Sequence, residues 1–150
     1  MKATYSQRPL PETFYIPGRS PHPAPSPLPG PWDAADWRHL SDWLYGIDLF
    51  NHGYFWEAHE AWEGLWQCTP KTQAPGLLLR GLIQAAACLL KVREDNARGV
   101  ALLGARSLAT LDQVECERLM GLEPIVWRED LREYLTGRKA ASYPRLALVL

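Results

Sequence analysis

The stretch Gly76-Leu77-Leu78-Leu79-Arg80-Gly81-Leu82-Ile83-Gln84-Ala85-Ala86-Ala87-Cys88-Leu89-Leu90-Lys91-Val92 decides the fold class. It is too long for an ordinary strand, free of internal proline, and apolar on almost every side. A helix of that kind belongs at the centre of a bundle. Gly81, Ala85 and Cys88 are small and share one flank, where a neighbouring helix can approach closely. Arg80, Gln84 and Lys91 fall on a single polar stripe, and a buried stripe needs hydrogen-bonding partners. The same three residues interrupt the most apolar run, so no run is expected to reach the length needed to cross a bilayer.

Helical patterning continues on both sides of this segment. Upstream, Trp37, Leu40, Trp43, Leu44, Ile47 and Phe50 recur at steps of three and four and predict a first helix after Asp33. Asn51-His52-Gly53 should close it, with Gly53 as a left-handed cap. A second helix is predicted over about residues 54–67, and Pro70 and Pro75 mark the connection to the central one. Downstream, Asp95-Asn96 makes a turn. A fourth helix follows, with Val100, Leu103, Gly104, Ser107, Leu108, Leu111 and Val114 inward and Arg98, Arg106 and Gln113 outward. Gly121 and Pro124 break the pattern before a last, charged helix over about residues 126–136. The terminal Tyr143-Pro144-Arg145-Leu146-Ala147-Leu148-Val149-Leu150 is expected to lie extended across the bundle.

The fold class is therefore all-α: a compact bundle of about five helices over residues 32–150, behind a proline-rich N-terminal arm over residues 1–31. Nine of the 13 prolines lie between Pro9 and Pro31, and the alternation from Pro21 to Pro29 excludes helix and favours a stiff polyproline-type segment. Either a proline-reading protein partner or the arm's own domain would receive it. Tyr5, Phe14, Tyr15 and Ile16 are the candidate anchors.

Charge and cysteine content narrow the function classes. The 16 Lys and Arg against 17 Asp and Glu leave a net charge of -1, without the clustered positive charge that nucleic acid binding requires. Cys68, Cys88 and Cys116 have no paired spacing, so no zinc knuckle or redox pair is indicated. The N-terminus lacks the apolar core of a secretory signal. A cytoplasmic protein with neither nucleic acid nor membrane as partner is the expectation. No cofactor is called, because phosphate loops and nucleophile elbows are missing from the sequence.

One constellation carries chemistry. In the second helix, Tyr54, Phe55, Ala58, Ala61, Trp62 and Leu65 form the core face. His59, Trp56, Glu60, Glu63 and Gln67 occupy the other side, with Trp66 on the border. His59 lies one turn from Glu63, and Glu60 one turn from Trp56. A tryptophan among carboxylates implies that this face is covered. Glu63 or Glu60 is predicted to face Arg80 and Gln84 of the central helix, with His59 at the edge.

Three readings are open. The cluster of His59, Glu60, Glu63, Arg80, Gln84, Trp56 and Trp66 is a pocket for a small polar or anionic ligand, with Arg80 binding an anion and the tryptophans as flat walls. Alternatively it is a hydrogen-bonded network that only locks helix packing, in a non-enzymatic structural or interaction module. The third reading is a metal-dependent hydrolase, since His59 and Glu63 stand at i and i+4 as in zincin helices. A third ligand is then hard to find, His22, His39 and His52 being distant in sequence, and no metal ligand is assigned.

The segment from Leu49 to Trp66, with Asn51, Gly53, His59, Glu60, Glu63 and Trp66, resembles the opening motif of the family called domain of unknown function 309. Gly81-Leu82-Ile83-Gln84-Ala85-Ala86-Ala87 is similar to its second motif, and the likeness extends over about residues 37–115. The resemblance implies a small helical bundle and no particular activity. Where the family often has a histidine near the end of the third helix and a Gly-Asn turn, this chain has Lys91-Val92-Arg93-Glu94-Asp95-Asn96, which weighs against a metal.

Overall fold

A computed structural model describes residues 4–15, 18–19, 27–137 and 142–150. Among the described residues, five α-helices follow one short 3₁₀ helix: the 3₁₀ turn Ala34–His39, then α1 Ser41–Asn51, α2 Phe55–Gln67, α3 Ala74–Arg93, α4 Ala97–Leu111 and α5 Pro124–Leu135. No strand is present among the described residues; Leu119 and Leu122 form an isolated bridge. The chain is thus the all-α bundle its periodicity predicts.

The first predicted helix is two. Leu40 is extended (φ -88°, ψ 93°) and separates the 3₁₀ turn from α1. Asp33 caps the turn through Ala35 N–H at 2.9 Å, while Asp42 places negative charge in the first turn of α1, where the helix dipole favours it. Trp37 stays buried across the break. Two proline boundaries also shift: Pro75 and Pro124 lie inside the first turns of α3 and α5. Proline is accommodated there because first-turn amides have no carbonyl to bond. Gly53 takes the left-handed conformation predicted for it (φ +87°).

Helix α3 is the core helix, packed by α2 on one side and α4 on the other. Its small flank works as predicted. A Cβ on Gly81 would come within 2.5 Å of Leu111, and Ser107 Oγ donates to Gly81 O at 2.8 Å. One expectation is corrected: at 20 residues, α3 is long and apolar enough to meet the criteria for a membrane span despite Arg80, Gln84 and Lys91. Lys91 lies near its C-terminal end, and Arg80 and Gln84 are too few to offset its leucines and alanines. In this fold more than half of that stretch is buried.

Helix α1 organises both ends of the chain. Asp48, 1% exposed, accepts Tyr5 N–H at 2.8 Å and Ser6 N–H at 2.7 Å. One turn later, Asn51 donates to Leu146 O at 2.8 Å and accepts Leu146 N–H at 2.7 Å. Tyr143 OH bonds Phe50 O, and Leu148 N–H reaches Tyr5 OH at 3.0 Å, so the two end segments meet. Leu146 and Leu148 are buried there. From Tyr5 the arm runs along α1 and α2. Tyr45 OH and Tyr54 OH donate to Pro9 O and Pro11 O at 2.8 Å each, Phe14 packs on Tyr54, and Tyr15 packs on Trp56. Ile16 and the greater part of the Pro21–Pro29 alternation lie outside the described residues.

Two changes test this packing. Asn51→Ala leaves both backbone groups of Leu146 without their partners and should cost about 2–4 kcal/mol; a loss below about 0.5 kcal/mol in denaturant unfolding would show that the tail is not held there. The helical glycines should respond oppositely. A Cβ on Gly46 would sit 2.1 Å from Trp62 Nε1, whereas on Gly64 its nearest neighbour is Pro29 at 3.6 Å. Gly46→Ala should destabilise by about 1–3 kcal/mol or more. Gly64→Ala should stabilise by about 0.5–1 kcal/mol.

Candidate functional site

The side chains of the predicted cluster start from α2, whose Phe55, Ala58, Trp62 and Leu65 are buried. That spacing turns His59, Glu60 and Glu63 to the opposite flank. His59 Nε2 lies 3.2 Å from Glu63 Oε2 and Nδ1 lies 3.5 Å from Glu60 Oε1, the latter too poorly aligned to count as a hydrogen bond. Trp56 packs at a tilt against the His59 ring, with centroids 5.2 Å apart, and against Tyr15 at 4.7 Å. His59, Glu60, Glu63 and Trp56 are therefore brought together.

The other three predicted residues are not joined to them. Arg80 is exposed, and among the described residues it makes no ion pair; Gln84 Oε1 is buried without a hydrogen-bond partner. The predicted pairing of Glu63 or Glu60 with Arg80 and Gln84 is thus corrected. Helices α2 and α3 meet through their apolar faces, which leaves Glu60 and Glu63 on the far flank of α2. Arg80 keeps its hydration, which a guanidinium loses only at a cost. Trp66 belongs to a different neighbourhood, with Lys71 Nζ 4.5 Å over its ring and 2.8 Å from its carbonyl oxygen.

A cleft of about 430 Å³ opens beside the cluster, between the arm and helices α1 and α2. The arm contributes Arg8 and Pro11 on one side and Pro27, Leu28 and Pro29 on another; Tyr45 and Leu49 come from α1, and Trp56, Glu57, Glu60, Ala61 and Glu63 from α2. Trp56, Glu60 and Glu63 were legible as site residues. His59 borders the cleft without lining it, and Trp66, Arg80 and Gln84 lie outside the lining.

Sequence reasoning missed four residues. Glu57 sits inside the quoted motif, next to Trp56, but a single helical projection assigns it to neither face. Its Oε2 accepts Tyr15 N–H at 3.2 Å, while Oε1 is buried with no aligned donor among the described residues. Burial pushes the Glu57 carboxyl above the usual carboxylate range, against the opposing pull of the Tyr15 amide, the amide of Glu57 itself and Arg93. Asp42 and Tyr45, one turn apart on α1, line the cleft together with Arg8. Arg8 donates to Asp42 Oδ1 at 2.7 Å and to Ser41 Oγ at 3.3 Å, with its guanidinium 3.9 Å over the Tyr45 ring. Nothing local in the sequence marks that pairing, which joins residues 34 apart.

The cluster also has metal-ligand geometry. One ligand atom each from His59, Glu60 and Glu63 lies within 4.8 Å of the others, so Glu60 supplies the third atom that distant histidines do not. His52 Nδ1 is instead 2.8 Å from Asp48 O.

The segment that builds this site can be compared with known proteins. Residues 43–103 match the family model described as Domain of unknown function (DUF309). Over that segment, about two fifths of the chain, the protein is similar to the DUF309 family. It runs from α1 into α4 and includes every α2 and α3 residue of the cluster, but not Arg8 or the rest of the arm. No curated protein matches the chain.

Glu57 gives a pH-dependent test. Its folded pKa is raised above the unfolded value, so the wild type loses stability as pH rises through that window. Glu57→Gln removes the charge and keeps the shape. Its stability relative to wild type should increase between about pH 4 and pH 7 in denaturant unfolding. A relative stability that falls over this range would mean that the Glu57 carboxylate is stabilised in the fold rather than burdened by it.

Proposed function

We propose that this helical domain is a binding module for a small polar molecule, received in the cleft between the arm and helices α1 and α2. The observation that carries the reading is Glu57 Oε1, a buried carboxylate oxygen without an aligned donor in the wall of a cleft large enough for a small molecule. Burying such a group costs stability unless something completes it. Tyr45 and Trp56 supply aromatic walls, Leu49 and Ala61 an apolar floor, and Glu60 and Glu63 further polar contacts. The anionic form of this reading depended on Arg80, which lies elsewhere.

The packing-network alternative draws less support from the same geometry. Glu60 and Glu63 make no ion pair with α3 among the described residues, and their pairs with His59 stay within α2 and are partly solvated. Pairs of that kind contribute about 0–1 kcal/mol.

Gly64 provides the test, because it lines the cleft and a side chain added there projects towards Pro29. A panel of small polar compounds of positive, neutral and negative charge is screened by thermal unfolding against the wild type and Gly64→Leu. A true ligand at 100 times its Kd should stabilise the wild type by about 2.7 kcal/mol and leave Gly64→Leu unmoved. Equal shifts in both proteins, or none in the wild type, would overturn the reading.

A further inference from the structure

We infer that the molecule received in the cleft is an organic cation, an amine or guanidinium compound; this rests on the ligand reading above. The lining holds four carboxylates, Asp42, Glu57, Glu60 and Glu63, against one cation, Arg8. Arg8 is already paired with Asp42 at 2.7 Å. Three carboxylates therefore remain around a partly enclosed space whose walls also carry Trp56 and Tyr45.

The cationic groups next to the cleft are outnumbered by those three, since one imidazole is shared by Glu60 and Glu63 and Arg93 is the one cation that acts on Glu57. His59, outside the lining, meets Glu60 and Glu63 from α2 itself. Arg93, the cation that acts on Glu57, donates to Gly53 O at 2.6 Å and lies between the Phe14 and Phe55 rings, at 4.8 and 4.7 Å. An anion entering the cleft would meet like charges at short range, where a low local dielectric magnifies repulsion. A cation would find carboxylate oxygens and an aromatic wall, the two features that hold ammonium and guanidinium groups.

The cleft already displays this chemistry at one end. The Arg8 guanidinium is held by the Asp42 carboxylate, the Ser41 hydroxyl and the Tyr45 ring face, a cation site made by the chain for its own arm. Glu57 and Glu60 beside Trp56 repeat the pairing of carboxylate with aromatic ring from α2. The volume of about 430 Å³ fits a molecule with a carbon chain rather than a lone ion. A divalent metal at His59, Glu60 and Glu63 is the competing source of positive charge.

Isothermal titration of the full chain separates the outcomes. The probes are 1,4-diaminobutane, methylguanidine, 1,4-butanediol, succinate and Zn²⁺, each titrated into the wild type, Gly64→Leu, and the double variant Glu57→Gln with Glu60→Gln. The expected result is saturable one-to-one binding of the diamine or the guanidine. It should weaken at least tenfold in the double variant and disappear in Gly64→Leu. Cation binding that survives Gly64→Leu would be general surface attraction and would overturn the inference. Butanediol or succinate binding in place of the cations, and lost in Gly64→Leu, would overturn the charge assignment and leave the ligand reading intact. Zn²⁺ binding without either organic cation, abolished by His59→Ala, would replace the inference with a metal site. Binding by none of the five would overturn the inference, while the broader thermal screen decides the ligand reading separately.

Discussion

Two polar side chains buried on α1 hold the ends of this molecule in place. Asp48 and Asn51 are one helical turn apart, and each offers two hydrogen bonds to a backbone that has no strand or helix partner of its own. An extended segment crossing an apolar bundle carries amides and carbonyls that must be bonded somewhere. A carboxylate can accept from two consecutive N–H groups, and a carboxamide can both donate and accept, so each residue type matches the segment it holds. Asp48 starts the arm on its course along α1 and α2, where Tyr45, Tyr54 and Asp42 continue to hold it and it forms one wall of the cleft.

This arrangement explains why the fold was readable in the sequence and the site only partly so. The helices follow from periodicity, and α3 from an apolar run whose Gly81 and Cys88 flank meets α4. The break at Leu40 escaped because Trp37 and Trp43 stay in phase with one apolar face across it. Glu60, Glu63 and Trp56 could be found because a local rule, helical spacing, puts them on one flank. The error over Arg80 came from treating that flank as the side facing α3, when the arm covers it instead. A contact between Arg8 and Asp42 has no local signature at all. Asn51 was legible as part of the family motif, but its work, holding Leu146, depends on a residue 95 positions away.

The cleft brings stability and binding into opposition. Glu57 lies where burial disfavours its charge and pushes its carboxyl above the usual carboxylate range. Retaining a charged group in such a place is common where a site is shaped for something other than packing. The arm is part of that design as well as a cover, since it brings the cation that satisfies Asp42 and the Tyr15 amide that satisfies half of Glu57. The segment similar to DUF309 thus supplies Glu57, Glu60 and Glu63 of the acidic wall, and residues outside it supply Asp42 and the roof.

The meeting of Tyr5 and Leu148 bears on how the molecule is made. Neighbouring helices such as α3 and α4 can pair as soon as they have left the ribosome, because their contacts are local in sequence. The hydrogen bond from Leu148 to Tyr5 spans 143 positions and cannot form until nearly all of the intervening chain has been synthesised. During synthesis the Asn51 carboxamide and the apolar surface that later covers Leu146 stand open. For that interval the emerging bundle exposes the groove its own tail will fill.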